Sequence, residues 1–168
     1  MPIKVVAFDG DDTLWHNETH FNFTQAALRN LLRGHAPNAE VDARLFDTEM
    51  ANLSLYGYGI KSFTLSMIET AIEITNGTIP ASDLRVILDW GKRMLREPTE
   101  LLEGVRETLL DVSRNHELLL ITKGDLFDQE SKLARSGLAE RFGGVEILSD
   151  KNVDSYRRVL SRRGIDAG

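Results

Sequence analysis

Three short apolar runs along the chain end abruptly in polar residues. They are residues 3–8 (IKVVAF), 117–122 (ELLLIT) and 144–149 (GVEILS). A β-branched run of this kind is typical of a strand buried on both faces, as in a parallel sheet, and the first run is predicted to be a central strand. Helix formers lie between the second and third runs, with Asp125 as a candidate N-cap and Gly137 as a stop. This strand–helix–strand order predicts a right-handed crossover in an α/β sheet.

Residues 16–98 show apolar positions at helical spacing and no convincing strand. Four helices are predicted there, and Ser82 is the predicted N-cap of the last one. Their ends are marked by Gly34, Gly57, Asn76-Gly77 and Pro98. Two further helices are predicted at residues 105–115 and 153–163. The predicted fold is therefore a parallel α/β core of residues 1–15 and 99–168, interrupted by an all-helical insertion of residues 16–98.

Composition narrows the classes of function that this chain can have. The formal net charge of −6 argues against general electrostatic binding to nucleic acid or to an anionic membrane surface. Because the chain has no cysteine, disulfides, thiolate catalysis and cysteine zinc sites are excluded. No apolar run reaches the length of a signal peptide or a membrane span. We therefore expect a cytoplasmic protein that has neither nucleic acid nor membrane as a partner.

Polar side chains follow all three predicted strands. Asp9 and Asp11 come after the first strand, Thr122 and Lys123 end the second, and Lys151 follows the third. Ligands of an open parallel sheet bind beyond the carboxyl ends of its strands, so we expect these side chains to lie close together. Carboxylate oxygens suit Mg²⁺, and a hydroxyl with an ammonium group can hold phosphate oxygens. The pattern indicates a metal-assisted phosphate site in which an aspartate can attack phosphorus.

The segment DGDDT, residues 9–13, resembles the first motif of the haloacid dehalogenase superfamily, in which Asp-x-Asp-x-Thr follows a hydrophobic strand. The family's second motif, a Ser or Thr at the end of the next strand, corresponds to Thr122. Its third motif, a Lys just before a later helix, corresponds to Lys151, with Lys132 and Lys123 as competitors for this role. The insertion is similar to the helical cap that the family places between its first two motifs. The resemblance implies a Rossmann-like core with a cap.

The resemblance also implies a Mg²⁺-dependent hydrolase that acts on a small phosphate ester. Asp9 would then be the nucleophile that forms an aspartyl-phosphate, and Asp11 would be the general acid and afterwards the general base. Mg²⁺ would bind Asp9 and the backbone carbonyl of Asp11, while Thr122, Lys123 and Lys151 would bind phosphate. Carbon–halogen dehalogenases of the family lack the second aspartate. Its presence here favours phosphatase chemistry.

The family's fourth motif, an acidic loop after a further strand, has no counterpart in this sequence. No apolar strand and no acidic pair follow Asp166. On this basis we expect weaker metal binding, slower turnover and an exposed apolar edge on the first strand, because the family's fourth strand lies beside the first. A second copy of the chain is the predicted cover of that edge, so we expect a homodimer. The sequence does not distinguish a natural C-terminus from a truncated one.

The predicted cap contributes one candidate for substrate recognition. The stretch LYGYGIKSF places Tyr56, Tyr58 and Lys61 around a glycine-containing connection between two helices. Such a loop can close over a site and contact the leaving group. The alternative is a tight helix–helix turn whose tyrosines pack on the core of the cap. Asp12 is interpreted as a turn residue.

Two other functions fit parts of the pattern. A non-catalytic module that binds a phosphate ligand or a partner would keep the shape of the site without turnover, and the absent fourth motif supports it. A phospho-receiver domain also places acidic residues near a first strand, with a Thr and a Lys at later strand ends. Receivers have no helical insertion of this length, so this interpretation fits poorly.

Overall fold

The computed structural model describes residues 3–165 and contains three strands and seven α-helices in that range. The strands are β1 (Val5–Phe8), β2 (Glu117–Lys123) and β3 (Gly144–Leu148). The helices are α1 (Glu18–Leu31), α2 (Asn38–Tyr56), α3 (Ile60–Ile74), α4 (Ala81–Met94), α5 (Val105–Ser113), α6 (Leu126–Ser136) and α7 (Val153–Arg163). Within residues 3–165, none of the helices combines the length and the apolar character that a membrane crossing needs.

The chain divides into two compact units. The core unit comprises Met1–His16 and Pro98–Gly168, and the helical unit comprises Asn17–Glu97. The three strands belong to the core unit together with α5, α6 and α7, whereas α1 to α4 form the helical unit. The insertion predicted at residues 16–98 is one residue longer at each end than the helical unit.

The core unit contains a parallel sheet with the strand order β1-β2-β3. β1 and β2 pair in parallel from Val5 opposite Glu117 to Phe8 opposite Leu120, and β2 and β3 also pair in parallel. β2 is the central strand, and its residues from Leu118 to Thr122 are all buried. The predicted α/β class with a Rossmann-like parallel sheet is confirmed. The carboxyl ends of the three strands therefore lie along one edge of the sheet.

In the described part of the chain, β1 lies at an edge of the sheet and pairs only with β2. The prediction that this strand is central and buried on both faces is wrong, because Val5, Val6 and Phe8 are half-buried and Ala7 is exposed. An edge strand has a neighbour on one side only, so less of its surface is covered. The apolar edge expected here is present, and the homodimer that would cover it stays a prediction.

Both helices that follow the later strands begin at a side-chain cap. The carboxylate of Asp125 accepts a hydrogen bond from the backbone N–H of Asp128 at 3.0 Å and starts α6. Asn152 and Ser155 form a reciprocal capping box at the start of α7. Gly137 ends α6 with a φ of 68°, as the sequence predicts. These caps fix the first turn of each helix beside the carboxyl end of a strand.

The helical unit is held together by an apolar core of side chains from all four of its helices. The fully buried members include Leu28, Val41, Leu45, Met67 and Ile87. Their spacing along each helix is that of a single apolar face packed inward. The helical unit thus has a hydrophobic core of its own.

The start of α4 differs from the sequence prediction. Ser82 lies inside the first turn of the helix, and Pro80 occupies the N-cap position without a side-chain hydrogen bond. Proline has a fixed φ, here −64°, and no backbone N–H to satisfy, so it can precede a helix without a polar cap. The prediction of a Ser82 N-cap is therefore wrong.

Candidate active site

Asp9 is the first residue after β1, and its carboxylate is partly open to solvent. Its Oδ1 accepts a hydrogen bond from the backbone N–H of Gly10 at 2.7 Å and lies 2.5 Å from Lys151 Nζ. The side chain of Asp9 is 46% exposed, so small molecules can reach it. Its Oδ2 has no hydrogen-bond partner among the described residues. The structure thus brings the predicted nucleophile and the predicted phosphate-binding lysine into direct contact.

Asp11, two residues further on, accepts hydrogen bonds on both carboxylate oxygens. Oδ1 accepts from Trp15 Nε1 at 2.8 Å and from Lys132 Nζ at 3.0 Å, and Oδ2 accepts from Gln129 Nε2 at 2.9 Å. The Trp15 side chain is fully buried, so this donor has little freedom to move. Three donors fix both the position and the orientation of the Asp11 carboxylate. Asp9 is therefore the accessible carboxylate of the pair, and Asp11 is the immobilised one.

A tight turn at Asp12 directly follows the two aspartates. Asp12 has a φ of 55°, a conformation that aspartate tolerates better than most residues, and its N–H donates to the Trp15 carbonyl at 2.8 Å. Its side chain is exposed, in agreement with its interpretation as a turn residue. A Cβ at Gly10 would lie 2.8 Å from Trp15 Cζ2 and 3.1 Å from Thr122 Oγ1. Glycine at position 10 is therefore needed for this close packing.

Gln129 on α6 connects Thr122 to Asp11. The Thr122 hydroxyl donates to Gln129 Oε1 at 2.9 Å, and Gln129 Nε2 donates to Asp11 Oδ2. A carboxylate only accepts hydrogen bonds, so the amide nitrogen faces Asp11 and the amide oxygen faces Thr122. Thr122 is 1% exposed. The predicted phosphate ligand is thus present at the end of β2, but its hydroxyl hydrogen is directed at Gln129 and not at an open phosphate position.

Lys132, also on α6, lies between two carboxylates. Its Nζ is 3.0 Å from Asp11 Oδ1 and 3.1 Å from Asp128 Oδ2, and its side chain is only 10% exposed. Lys132 and Lys151 are the competing candidates for the third motif, and both reach this site. They contact different aspartates, because Lys151 is paired with Asp9. This geometry favours Lys151 for the position beside the reacting phosphate.

Asp128 is a buried carboxylate behind this arrangement. Burial raises the pKa of Asp128, and the neighbouring Lys132 ammonium opposes that shift. Its Oδ2 pairs with Lys132, whereas its Oδ1 has no hydrogen-bond partner within residues 3–165. A buried ion pair gains little net stability, because desolvation of both charges offsets their attraction. Stability alone therefore does not account for this pair.

The remaining predicted site residues have less direct relations to the aspartates. Lys123 is the last residue of β2 and is half-buried. Neighbouring side chains of a strand point to opposite faces, so Lys123 and Thr122 leave β2 on opposite sides. A phosphate-binding role of Lys123 stays a prediction.

Tyr56, Tyr58 and Lys61 belong to the helical unit. Tyr56 ends α2 and is 51% exposed, Tyr58 in the following turn is 37% exposed, and Lys61 lies in the first turn of α3. This exposure argues against the alternative in which both tyrosines pack on the core of the helical unit. A role of these three residues in substrate recognition stays a prediction.

The oxygen atoms around Asp9 fit a hard divalent cation. Asp9 Oδ2 is available, and the backbone carbonyl is the better candidate at Asp11 because both of its side-chain oxygens already accept hydrogen bonds. No group of three or more His, Cys, Asp or Glu side chains within residues 3–165 is arranged to hold a metal ion. A cation held by two protein oxygens would keep several water ligands, which is the usual state of Mg²⁺ in proteins.

Sequence reasoning missed Gln129 and treated Lys132 only as an alternative. Both residues lie three positions apart on one face of α6, where they meet the same carboxylate. The sequence held a partial signal, because the Asp125 cap starts α6 shortly after the end of β2, although it does not fix which face of the helix meets the aspartates. Polar residues at helical spacing from that cap are candidates for the site.

Comparisons with known proteins place the chain in a family. No protein-family model matches it, and no curated protein matches it. It is similar to a haloacid dehalogenase-like family hydrolase from Xanthomonas campestris at 42% identity, over 98% of this chain and 70% of that chain, with a TM-score of 0.93.

Two more distant similarities show the fold alone. The HAD-hydrolase YfnB from Bacillus subtilis, solved bound to magnesium, is 18% identical over 96% of this chain and 73% of that chain, with a TM-score of 0.60. The L-2-haloacid dehalogenase from Xanthobacter autotrophicus is 18% identical over 99% of this chain and 67% of that chain, also with a TM-score of 0.60. The Xanthomonas similarity is much stronger and extends over most of both chains. The chain therefore belongs to the family of haloacid dehalogenase-like hydrolases.

Proposed function

We propose that this hydrolase is a Mg²⁺-dependent phosphomonoesterase that acts through an aspartyl-phosphate on Asp9. The observation that carries the proposal is the pair of aspartates itself. Asp9 is accessible and paired with Lys151, and Asp11 is held two residues away by three donors. A phosphate ester needs both a nucleophile and a group that protonates the leaving oxygen, whereas a halide leaves without a proton. The second carboxylate therefore favours phosphate esters over haloacids.

In the first step, one carboxylate oxygen of Asp9 attacks phosphorus. A bond forms between this oxygen and phosphorus, and the bond between phosphorus and the ester oxygen breaks. Asp11 takes up a proton from solvent before this step and passes it to the departing ester oxygen, which leaves as an alcohol. Lys151 lies beside Asp9 and can bind a phosphate oxygen through its ammonium group.

In the second step, water releases the phosphate. Asp11, now a carboxylate, takes a proton from a water molecule, whose oxygen attacks phosphorus. The bond between phosphorus and Asp9 breaks, inorganic phosphate leaves, and both aspartates return to their starting state. Asp9 and the Asp11 carbonyl would hold Mg²⁺, which when bound supplies positive charge that offsets the repulsion between Asp9 and the phosphate.

The proposed substrate is a small phosphorylated metabolite. Tyr56 and Tyr58 are exposed on the helical unit and offer aromatic surface and hydroxyl groups for a leaving group. Lys61 adds a positive charge suited to an acidic leaving group. These residues are proposed as specificity determinants that the chemistry itself does not need.

The experiment that tests the proposal is hydrolysis of p-nitrophenyl phosphate with Mg²⁺, with EDTA and by Asp9→Asn. We expect hydrolysis that needs both the metal and Asp9, because the amide that replaces the carboxylate in Asp9→Asn cannot form the acyl phosphate. Chloride release from 2-chloropropionate, measured in parallel, should stay at background. Chloride release without phosphate release would make the protein a dehalogenase, and neither activity would make it a binding module.

A further inference from the structure

The proposed reaction leaves one feature of the site unexplained. Asp11 has to exchange a proton with the leaving group, yet both of its oxygens already accept hydrogen bonds. Oδ1, with two donors, has no acceptor site left, so the proton must be exchanged at Oδ2, and the donor that holds Oδ2 sets how freely this oxygen meets the substrate. The three donors to Asp11 differ in how firmly they hold its oxygens.

The two oxygens of Asp11 are held unequally. Oδ1 accepts from the Lys132 ammonium and from the indole of the fully buried Trp15. Oδ2 accepts only from the neutral amide of Gln129 among the described residues. The Lys132 ammonium adds the attraction of an opposite charge to its hydrogen bond with the carboxylate, whereas the Gln129 amide is a neutral donor. Oδ2 is therefore the oxygen that is released more easily.

Gln129 also has a second partner, and that partner is the predicted phosphate ligand. Its Oε1 accepts the hydroxyl hydrogen of Thr122, and donors and acceptors joined in a chain strengthen one another. The amide fits closely against Gly124, where a Cβ would lie 3.3 Å from Gln129 Nε2 and where φ is 143°. Gln129 is 2% exposed, so solvent does not replace either partner. The hydrogen bonds of Thr122 and Asp11 are therefore linked through one buried amide.

We propose that Gln129 is a positioning residue that couples phosphate binding at Thr122 to the release of Asp11 Oδ2. This inference rests on the proposed function, since it assumes that phosphate binds at the end of β2. A phosphate oxygen that accepts the Thr122 hydrogen deprives Gln129 of its donor, and the amide then holds Asp11 Oδ2 less firmly. Oδ2 becomes available to the leaving group only when a phosphate is in place, while Lys132 and Trp15 keep Oδ1 fixed.

The test uses the indole signal of Trp15 as a reporter of the Asp11 carboxylate. The chain has two tryptophans, so a Trp90→Phe background leaves one indole N–H in a ¹H–¹⁵N spectrum. Inorganic phosphate with Mg²⁺ is the probe, and calorimetry measures its binding separately. Gln129→Met removes both amide hydrogen bonds at nearly constant side-chain length. Glu130→Gln, exposed at the next position of α6, is the matched control.

Phosphate should shift the Trp15 signal in the background protein and in Glu130→Gln. In Gln129→Met, phosphate should still bind but the shift should be lost. Hydrolysis of p-nitrophenyl phosphate by Gln129→Met should show a kcat about 10- to 100-fold lower with KM within about twofold, as expected when a catalytic group is misplaced. Thr122→Ser, which keeps the hydroxyl, should retain the shift, and Thr122→Val should lose it.

A phosphate-dependent shift that persists in Gln129→Met would overturn the coupling, and so would a failure of the background protein to bind phosphate. An unchanged kcat with a raised KM would also overturn it, because Gln129 would then act in binding alone. If Gln129→Met does not fold, the Thr122→Ser and Thr122→Val pair decides by the same signal. A lack of hydrolysis by the wild type would refute the proposed function, while the indole response would still decide the coupling.

Discussion

The two units of this molecule both bury polar side chains, but they use them in different ways. In the helical unit, buried threonine hydroxyls donate to carbonyls of their own helix, as Thr48 does to Arg44 and Thr64 does to Ile60. Fully buried hydrogen bonds between its helices, such as that from Thr70 to Thr48, join neutral groups. In the core unit, buried polar side chains of one helix meet a carboxylate of another element. Lys132 and Gln129 both reach from α6 to Asp11, which follows β1.

This difference supports the core unit as the carrier of the proposed chemistry. A hydroxyl bonded to its own helix is satisfied locally and imposes no arrangement on the rest of the protein. A buried ammonium with two carboxylates is expensive to desolvate, and hydrophobic residues often replace such groups without loss of stability. A network of this kind around one carboxylate is expected where a catalytic group must be held in place. We therefore expect substitutions in the core unit to lower the activity, and similar substitutions in the helical unit serve as controls.

The largest effect is expected from Asp11→Asn. Loss of the acid–base group should lower kcat about 10²- to 10⁴-fold, the usual range for such catalysis. Thr70→Val is the counterpart in the helical unit, where the fully buried Thr70 hydroxyl lies 3.3 Å from Thr48 Oγ1. Its kcat should stay within about twofold of the wild type. Steady-state hydrolysis of p-nitrophenyl phosphate measures both, and equal losses in the two variants would remove the distinction between the units.

A smaller loss is expected from Lys151→Met. Removal of the ammonium beside Asp9 should lower kcat/KM about 10²-fold, because a donor to the phosphate is lost. Lys92 of the helical unit also pairs with an aspartate, at 3.5 Å from Asp89, but both of these side chains are about half exposed. Lys92→Met should leave kcat/KM unchanged, and such surface pairs stabilise by less than about 1 kcal/mol. If Lys151→Met retained full kcat/KM, Lys151 would not bind the phosphate.

Substitutions at two glycines should distinguish an effect on stability from an effect on activity. A Cβ at Gly10 would clash with Trp15, and a Cβ at Gly91 would lie 2.9 Å from Thr64 Cγ2 on the neighbouring helix. Each substitution to alanine should lower the free energy of unfolding by about 1–3 kcal/mol, as overpacking generally does. Only Gly10→Ala should also lower kcat, because it moves Trp15 and Thr122. Denaturant unfolding and kinetics on the same samples provide the check, and a kcat loss in Gly91→Ala would contradict it.

The smallest effect is expected from Glu49→Gln in α2. Burial raises the pKa of Glu49 above its usual value of 4.5, so the folded state favours the neutral carboxyl group. The resulting stabilisation is complete below pH 4.5 and is lost as the pH rises through the raised pKa. Glu49→Gln should therefore unfold at a higher temperature than the wild type at about pH 7.5, with no difference at about pH 4. A constant difference between the variants across this pH range would refute the assignment.

The part of the site that lies at strand ends could be predicted from the sequence. Asp9, Asp11 and Lys151 follow apolar runs, and a parallel sheet brings the ends of such runs together whatever the details of packing. Gln129 could not be placed in the same way, because its role depends on the rotation of α6 about its axis. That rotation is set by the Asp125 cap and by tertiary packing, which a single run of residues does not reveal.

The fold was predictable to a similar degree. Apolar runs located all three strands, and a glycine located the end of α6. The pattern of apolar residues in β1 indicated a central strand and not the observed edge strand, because the order of strands depends on which neighbours are present. Nor did it place the start of α4, where Pro80 occupies the N-cap position expected for Ser82. Local signals thus defined the elements, and long-range packing decided their surroundings.

The most direct test of the account is the intact mass of Asp11→Asn after mixing with p-nitrophenyl phosphate and Mg²⁺. p-Nitrophenol leaves without much help from an acid, so the first step should proceed while release of phosphate by water is slow. The account predicts a mass increase of one phosphoryl group that is absent when Asp9→Asn is added to the same protein. No mass increase, or one that persists without Asp9, would contradict an aspartyl-phosphate on Asp9.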